Sequence, residues 1–135
     1  YKPRLVVDVA TLTGASLIAL GQVASAIMTR DEKLETLLRN LGEESGEYVW
    51  PLPLWDEYEE NVKGNFADLA NIPAKGNTRY AGVINGGMFL YQFAKNYPWV
   101  HIDMAPRMTS AEGDYLSKGA AGSPVRLLLK LIEKF

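Results

Sequence analysis

The stretch Leu5-Val6-Val7-Asp8-Val9-Ala10-Thr11-Leu12-Thr13-Gly14-Ala15 decides the fold class of this sequence. Its first part, Leu5–Ala10, is short, rich in valine and free of polar alternation, which is typical of a strand buried in a parallel sheet. Thr11–Gly14 is predicted as a tight turn, and Ala15–Leu20 as a short helix. A buried strand that passes through a turn into a helix predicts an α/β domain.

Further strand and helix signals alternate along the chain. Val23–Met28 and Trp99–Met104 are the second and third strand candidates. A helix is predicted after Thr29 and Glu32, which have the spacing of a capping box. Its buried face is formed by leucines at helical spacing, Leu34, Leu37, Leu38 and Leu41. Three strands that alternate with helices favour a layered α/β domain with a largely parallel sheet.

The remaining segments are predicted as helices and loops. Trp50–Trp55 cannot form a regular helix, because the residue before each proline is pushed toward extended geometry. Asp56–Lys63 and Tyr80–Ala94 are predicted as helices, the second mostly buried, with glycines that allow another backbone to approach closely. Gly64–Thr78 is predicted as a loop. Ser123-Pro124 is predicted to supply the N-cap and the first helical residue of a closing helix.

The composition excludes several classes of protein. The chain has 135 residues, 47% of them apolar, which is enough to build a core and argues against disorder. Its net charge of −2 shows no basic excess, so no nucleic-acid partner is expected. The absence of cysteine excludes disulfides and thiolate zinc sites, and any site that needs an imidazole must use His101.

Targeting and membrane signals are weak. Val9–Thr29 carries no charge, but its apolar run is interrupted by glycine, threonine, serine and glutamine, so no membrane span is expected. No basic segment precedes an apolar one at the start, so no signal peptide is expected. The first residue, Tyr1, is not Met, which indicates either a removed leader or a piece of a longer chain.

The turn Thr11–Gly14 is the first candidate site. Ligands of open α/β sheets bind at the carboxyl ends of strands, and a helix N-terminus offers N–H groups to an anion or a carbonyl oxygen. The alternative is a strand–helix corner whose threonines only cap the helix.

The segment Trp99–Ala105 is the second candidate. Strand alternation puts His101 and Asp103 on one face, where they could ligate a metal or act as an acid–base pair. The favoured alternative is a histidine and an aspartate held by hydrogen bonds inside a packed domain. A metal site built from Asp8, His101 and Asp103 would require the three side chains to converge.

Three other features have plain structural interpretations. The glycine-containing segment Lys118–Arg126 could bind an anion, but a simple junction between a loop and a helix explains it. Asp68 is expected to cap a helix or order a loop. A local acidic cluster is interpreted as a solvated helix face, formed by Asp56, Glu57, Glu59 and Glu60.

Asp8–Ala15 closely resembles the conserved block of the leucyl (cytosol) aminopeptidase family, whose members are two-metal exopeptidases. Further blocks of that family agree in order along the chain. They are Trp50–Leu54, Phe66–Asn71, His101–Ala105 and Gly119–Arg126. Several ordered blocks that span essentially the whole chain make the resemblance specific.

The resemblance implies a fold, and it implies that the metal ligands lie in a different part of the catalytic domain from this chain. It implies the C-terminal portion of a three-layer α/β/α domain with a largely parallel or mixed central sheet. The family's metal ligands are a lysine and several acidic residues, the last of them in an NTDAEGR motif just before the strand that contains Asp8. Residues 1–135 therefore resemble the C-terminal part of the catalytic domain without its metal-binding half. No catalytic residue and no metal ligand is expected in this chain.

The resemblance also implies substrate-contacting residues. Thr11, Leu12 and Gly14 match family positions that contact the substrate, largely through backbone groups, and Leu12 also matches a position near a bound bicarbonate. Ala105 and Met108 match positions that line the pocket for the N-terminal side chain. The implied reaction is metal-assisted hydrolysis of peptides with two divalent ions, Zn or Mn.

The chain departs from the family pattern at two places. Pro106-Arg107 replaces the usual glycine after the alanine, and the loop Ile72–Tyr80 is longer and carries Lys75 and Arg79. Family members are typically cytoplasmic hexamers that act on peptides, which would be the expectation here. The alternative is a non-catalytic ligand-binding or assembly module built on the same fold.

Overall fold

A mixed four-stranded sheet forms the centre of the protein. The computed structural model describes residues 1–73, 76, 79–113 and 115–135. In this part of the chain the strands have the spatial order β1-β4-β2-β3. Their bounds are β1 Val6–Ala10, β2 Ser25–Met28, β3 Val49–Pro51 and β4 Trp99–Asp103. β1 is parallel to β4 and β2 to β3, whereas β2 and β4 are antiparallel. The expected α/β class with a mixed sheet is confirmed.

Helices cover both faces of this sheet. The α-helices are α1 Gly14–Leu20, α2 Glu32–Ser45, α3 Gly82–Ala94 and α4 Val125–Ile132. Two 3-10 helices, the first at Asp56–Val62 and the second at Ala105–Arg107, complete the described elements. The predicted polar helix at Asp56–Lys63 is thus a 3-10 helix. No helix in the described residues is long and apolar enough to cross a bilayer.

The two faces of the sheet bury separate apolar clusters. On one face α2 and α4 pack against the strands, with Leu38 and Leu127 meeting Val100 and Ile102. On the other face α3 and the first 3-10 helix pack through a cluster that includes Met28, Val62, Val83, Met88 and Trp99. The molecule therefore has three layers, with helices on both sides of the sheet.

Strand β3 was not predicted from the sequence. Its last residue, Pro51, lacks a backbone N–H and argues against a central strand. The structure accommodates it because β3 lies at an edge of the described sheet and pairs only with β2. The pairing continues one residue further, since Leu52 N donates to Ile27 O at 2.9 Å.

The predicted caps of two helices are wrong. α2 is capped by Asp31, whose Oδ1 accepts from the N–H groups of Lys33 and Leu34 at 2.9 and 3.1 Å. Thr29 instead donates its hydroxyl to Trp99 O at 2.7 Å and so ties the start of α2 to the sheet. At α4 the N-cap position belongs to Pro124 rather than Ser123, and no local side chain caps the helix.

The cap of α4 comes from Glu47, a residue distant in sequence. Its side chain is buried, and Oε2 accepts from Leu127 N at 2.7 Å, while Oε1 lies 3.6 Å from Arg126 Nε. A carboxylate at a helix N-terminus satisfies a free N–H group and interacts favourably with the helix dipole.

Glu47→Gln is expected to lower the free energy of unfolding by about 1 kcal/mol, because the acceptor remains but its charge is lost. Urea denaturation measures the change. Glu44→Gln is the matched control: its pair with Lys130 is exposed, at 3.8 Å, and contributes little. Equal stability of Glu47→Gln and Glu44→Gln would show that Glu47 does not stabilise α4.

Candidate functional site

The candidate site lies at one end of the sheet, where β1 and β4 finish side by side. Because these strands are parallel neighbours, the segments that follow them emerge at the same edge. β1 continues into the turn Thr11–Gly14, and β4 continues into the second 3-10 helix. Met104 N donates to Ala10 O at 2.8 Å and extends the pairing up to this edge. The two segments singled out by the family resemblance are therefore adjacent.

The carboxylate of Asp103 joins these two segments. Its Oδ1 accepts from Leu12 N at 3.1 Å and from Ala105 N at 3.2 Å. Its Oδ2 accepts from Thr13 N at 3.1 Å and from Thr13 Oγ1 at 2.7 Å. The side chain is 0% exposed, so no water competes for these four donors.

Thr13 caps helix α1, as one of the two sequence interpretations expected. Its Oγ1 accepts from Ser16 N at 3.3 Å, and Ser16 Oγ donates to Thr13 O at 2.7 Å. The other interpretation, an anion seat made by the N–H groups of the turn, is wrong for Leu12 and Thr13. Both of these groups are directed at Asp103.

The predicted substrate-contacting residues differ in accessibility. Thr11, Leu12 and Gly14 are exposed, and so is Met108, with 48% of its surface accessible. Ala105 is buried. The turn and Met108 can therefore meet a ligand directly, whereas Ala105 cannot.

Helix α3 packs closely against the turn Thr11–Gly14 at Gly86. A Cβ atom on Gly86 would lie 2.9 Å from Leu12 Cδ2 and 3.2 Å from Thr13 Cγ2. The sequence predicted that glycines of this helix let another backbone approach closely, and a close approach does occur at Gly86. However, the approaching atoms belong to side chains and not to backbone.

A cavity of about 420 Å³ opens beside the turn. Thr13 and Gly14 line it together with residues that include Ile72, Arg79 and Asn85. Arg79, a residue of the unusual loop, therefore borders the candidate site. The other loop cation singled out from the sequence, Lys75, lies outside the described residues. A larger cleft of about 840 Å³ lies elsewhere, between α2 and the first 3-10 helix.

The buried side chain of His101 belongs to a hydrogen-bonded group with the half-buried Asp8 and the buried Trp99. Its Nδ1 contacts Asp8 Oδ1, and Trp99 Nε1 donates to Asp8 Oδ2 at 2.6 Å. The rings of Trp99 and His101 stack with centroids 6.4 Å apart. His101 Nε2 has no hydrogen-bond partner among the described residues. This arrangement agrees with a histidine held inside a packed domain.

Asp8, His101 and Asp103 do not form a metal site in the structure. Asp8 and His101 meet across neighbouring strands, but both oxygens of Asp103 are engaged by the turn. Within the described part of the chain, no group of three or more His, Cys, Asp or Glu side chains could hold a metal ion. The donor set present therefore does not fit a metal centre.

The acidic cluster on the first 3-10 helix is a solvated surface with ion pairs. Asp56 pairs with Arg30 at 2.6 Å, and Glu59 lies 3.4 Å from both Arg30 and Lys95. The hydrogen bond and charge of the neighbouring Glu60 carboxylate raise the pKa of Lys63. Asp68 itself is exposed in the loop after this helix.

The glycine loop before α4 packs onto the segment that follows Met108. Ser110 N donates to Gly119 O at 2.8 Å, and Thr109 pairs with Ala120 in an isolated antiparallel bridge. A hydrogen bond to Tyr115 is the main cause that raises the pKa of Arg126, with the charge of Glu47 adding to it. Because these groups satisfy Arg126, the loop is explained as a junction between two parts of the fold.

The α/β fold and the ordered sequence blocks together are those of one known family of catalytic domains. A family model described as "Cytosol aminopeptidase family, catalytic domain" matches residues 1–129. The chain belongs to the cytosol aminopeptidase family. The resemblance predicted from the sequence is confirmed by this match.

Named relatives agree with this assignment. The chain is 48% identical over 132 residues to a "Probable cytosol aminopeptidase" of Histophilus somni (strain 129Pt), covering 98% of this chain and 25% of that protein. It is 42% identical to the protein of the same name from Geobacter sp. (strain M21), covering 99% of this chain and 27% of the relative. The chain thus spans about a quarter of the length of these relatives.

A solved structure has the same fold. A mutant of tomato leucine aminopeptidase superposes with a TM-score of 0.85 at 32% sequence identity, covering 98% of this chain and 25% of that one. The residues that form the candidate site therefore lie in a fold that an aminopeptidase shares.

Proposed function

We propose that this chain is part of a two-metal leucyl-type aminopeptidase that removes N-terminal residues from peptides. Residues 1–135 would be the C-terminal part of its catalytic domain and would supply a pocket wall and backbone contacts. One observation supports this best. The turn Thr11–Gly14 and the segment around Ala105 and Met108, which family resemblance assigns to the substrate, lie side by side at one edge of the sheet.

The metal ions of this proposal would be held outside the chain. The described residues offer no fitting donor set, and the resemblance assigns the ligands to a motif that would precede Tyr1. Two divalent ions, Zn or Mn, would supply Lewis acidity and an activated water when bound. The chain itself would contribute no catalytic residue.

The pocket wall that the chain offers is apolar. Leu12 and Met108 are exposed, unbranched at Cβ and adaptable in shape, which suits the side chain of an apolar N-terminal residue. The unusual Pro106-Arg107 pair does not place a charge in this wall. Pro106 is buried, and Arg107 Nη1 donates to Gln22 O at 2.8 Å, toward the turn before β2.

The remaining parts of the proposal come from the family alone. The protein would act on peptides in the cytoplasm and would assemble as a homo-hexamer. The second candidate function is a non-catalytic binding or assembly module. Because the aminopeptidase proposal places the metal ligands upstream of Tyr1, the lack of a metal donor set among the described residues is expected under either candidate.

The coding sequence upstream of the Tyr1 codon distinguishes the two candidate functions. An aminopeptidase requires an acidic NTDAEGR-type motif there, and its absence would favour the binding module.

Removal of metal from the full-length protein provides the functional test. The purified protein is expected to hydrolyse leucine p-nitroanilide, to lose at least about 100-fold of that rate after dialysis against EDTA, and to regain it with Mn²⁺ or Zn²⁺. A full-length protein that carries the acidic motif but remains inactive with either metal would contradict the proposed function.

A further inference from the structure

The buried carboxylate of Asp103 accepts hydrogen bonds from both segments of the candidate site. We propose that Asp103 is a positioning residue that fixes the direction of the backbone carbonyl groups of Thr11 and Leu12 toward the substrate. This inference rests on the proposed aminopeptidase function and deepens it. Neither the sequence blocks nor the family match assigns a role to this residue.

The geometry of the peptide bond determines where the carbonyl groups of Thr11 and Leu12 point. The Thr11–Leu12 and Leu12–Thr13 peptide bonds are both trans, and a trans peptide unit is planar, so its N–H and C=O groups point in opposite directions. Asp103 binds the N–H groups of Leu12 and Thr13 from the interior. The carbonyl oxygens of Thr11 and Leu12 must therefore point away from Asp103, on the side where both residues are exposed.

The hydrogen bonds that the Asp103 carboxylate accepts hold the turn in place. An ionised carboxylate only accepts hydrogen bonds and has room for about four donors. Asp103 receives four, from Leu12 N, Thr13 N, Thr13 Oγ1 and Ala105 N. Bonds to a charged acceptor are stronger than neutral ones, and full burial removes competing water. The turn is therefore held in one orientation.

Asp103 also sets the distance between the turn and the segment that begins at Ala105. Oδ1 accepts simultaneously from Leu12 N and Ala105 N, so a single oxygen fixes the distance between the two pocket segments. Two outward carbonyl oxygens at a fixed distance from an apolar wall suit the N–H donors of a peptide substrate. A shift of about 1 Å in such a platform is enough to weaken binding.

Asp103→Asn in the full-length enzyme tests the proposal. The amide keeps the shape but turns one acceptor into a donor that faces Thr13 N–H, so the turn must rotate. The KM for leucine p-nitroanilide is expected to rise about tenfold with kcat within about threefold of wild type, the signature of lost substrate binding. A KM within twofold of wild type would overturn the proposal.

Glu47→Gln is the matched control, because Glu47 is also a buried carboxylate that accepts from a backbone N–H, but at α4. It is expected to lower the thermal midpoint without changing the KM. An equal rise of the KM in Glu47→Gln would show that Asp103 acts only through stability, and would overturn the inference alone. A wild-type protein without activity would overturn the proposed function, and the inference with it.

Thr13→Val keeps the test decisive if Asp103→Asn does not fold. At a half-buried position, it removes the hydroxyl that donates to Asp103 Oδ2 and also accepts from Ser16 N at the start of α1. The KM is expected to rise about threefold, and Thr13→Ser, which restores the hydroxyl, is expected to bring it most of the way back. An unchanged KM in Thr13→Val would overturn the proposal.

Discussion

Residues 1–135 in isolation are expected to bind neither Mn²⁺ nor Zn²⁺ tightly and to hydrolyse no leucine p-nitroanilide at a measurable rate. The described residues contain no group of three side chains suited to a metal. Asp8 is engaged by Trp99 and His101, and Asp103 by the backbone of the turn. Equilibrium dialysis at neutral pH against each metal, followed by the hydrolysis assay, measures both properties.

Two controls make the outcome of this experiment interpretable. Far-UV circular dichroism reports whether the isolated chain is folded, and the full-length protein serves as the positive control for metal binding and activity. Stoichiometric tight binding by the folded chain would contradict the prediction. It would place a metal site within the chain, and Asp8→Asn and His101→Gln would then be expected to abolish binding.

Leu127→Ala is expected to cause a large loss of stability. Leu127 is 0% exposed and lies in the cluster that joins α2, α4 and the sheet. Truncating a buried leucine removes apolar contacts and leaves a cavity, which costs about 2–5 kcal/mol. Urea denaturation followed by circular dichroism measures this loss as a lower transition midpoint.

The matched control for this substitution is Leu129→Ala. Leu129 lies on the same helix but is 58% exposed, so its truncation is expected to change stability by no more than about 0.5 kcal/mol. Equal losses in the two variants would mean that α4 does not present Leu127 to the core as the structure shows.

Local patterns predicted most elements of the fold because they depend on near neighbours in sequence. The leucines of α2 recur at helical spacing, and three of them are buried, Leu34, Leu38 and Leu41. The valine-rich run before the turn forms β1. Strand β3 escaped prediction because it is short and ends in Pro51, a residue that only an edge position tolerates.

The candidate site was predictable only in part. The turn Thr11–Gly14 could be identified as the end of a buried strand, but its assignment to a substrate depended on the family resemblance. The sequence predicted an Asp103 held by hydrogen bonds in the interior, but not its partners, because Leu12 is 91 residues away in the sequence. The partner of Glu47 could not be predicted for the same reason, since Glu47 caps a helix 80 residues further along the chain. Such partnerships follow from topology, which a single sequence does not reveal.

The hydrogen bonds that Asp103 accepts from the turn also affect how the substrate pocket can change during evolution. Three of its four bonds come from main-chain N–H groups, which every amino acid except proline provides. The side chain at position 12 can therefore be exchanged without dismantling the turn that presents it. Substitutions at position 12 can therefore change which substrate side chain is preferred, while the backbone geometry of the turn stays the same. Substrate selectivity and the scaffold can thus evolve separately.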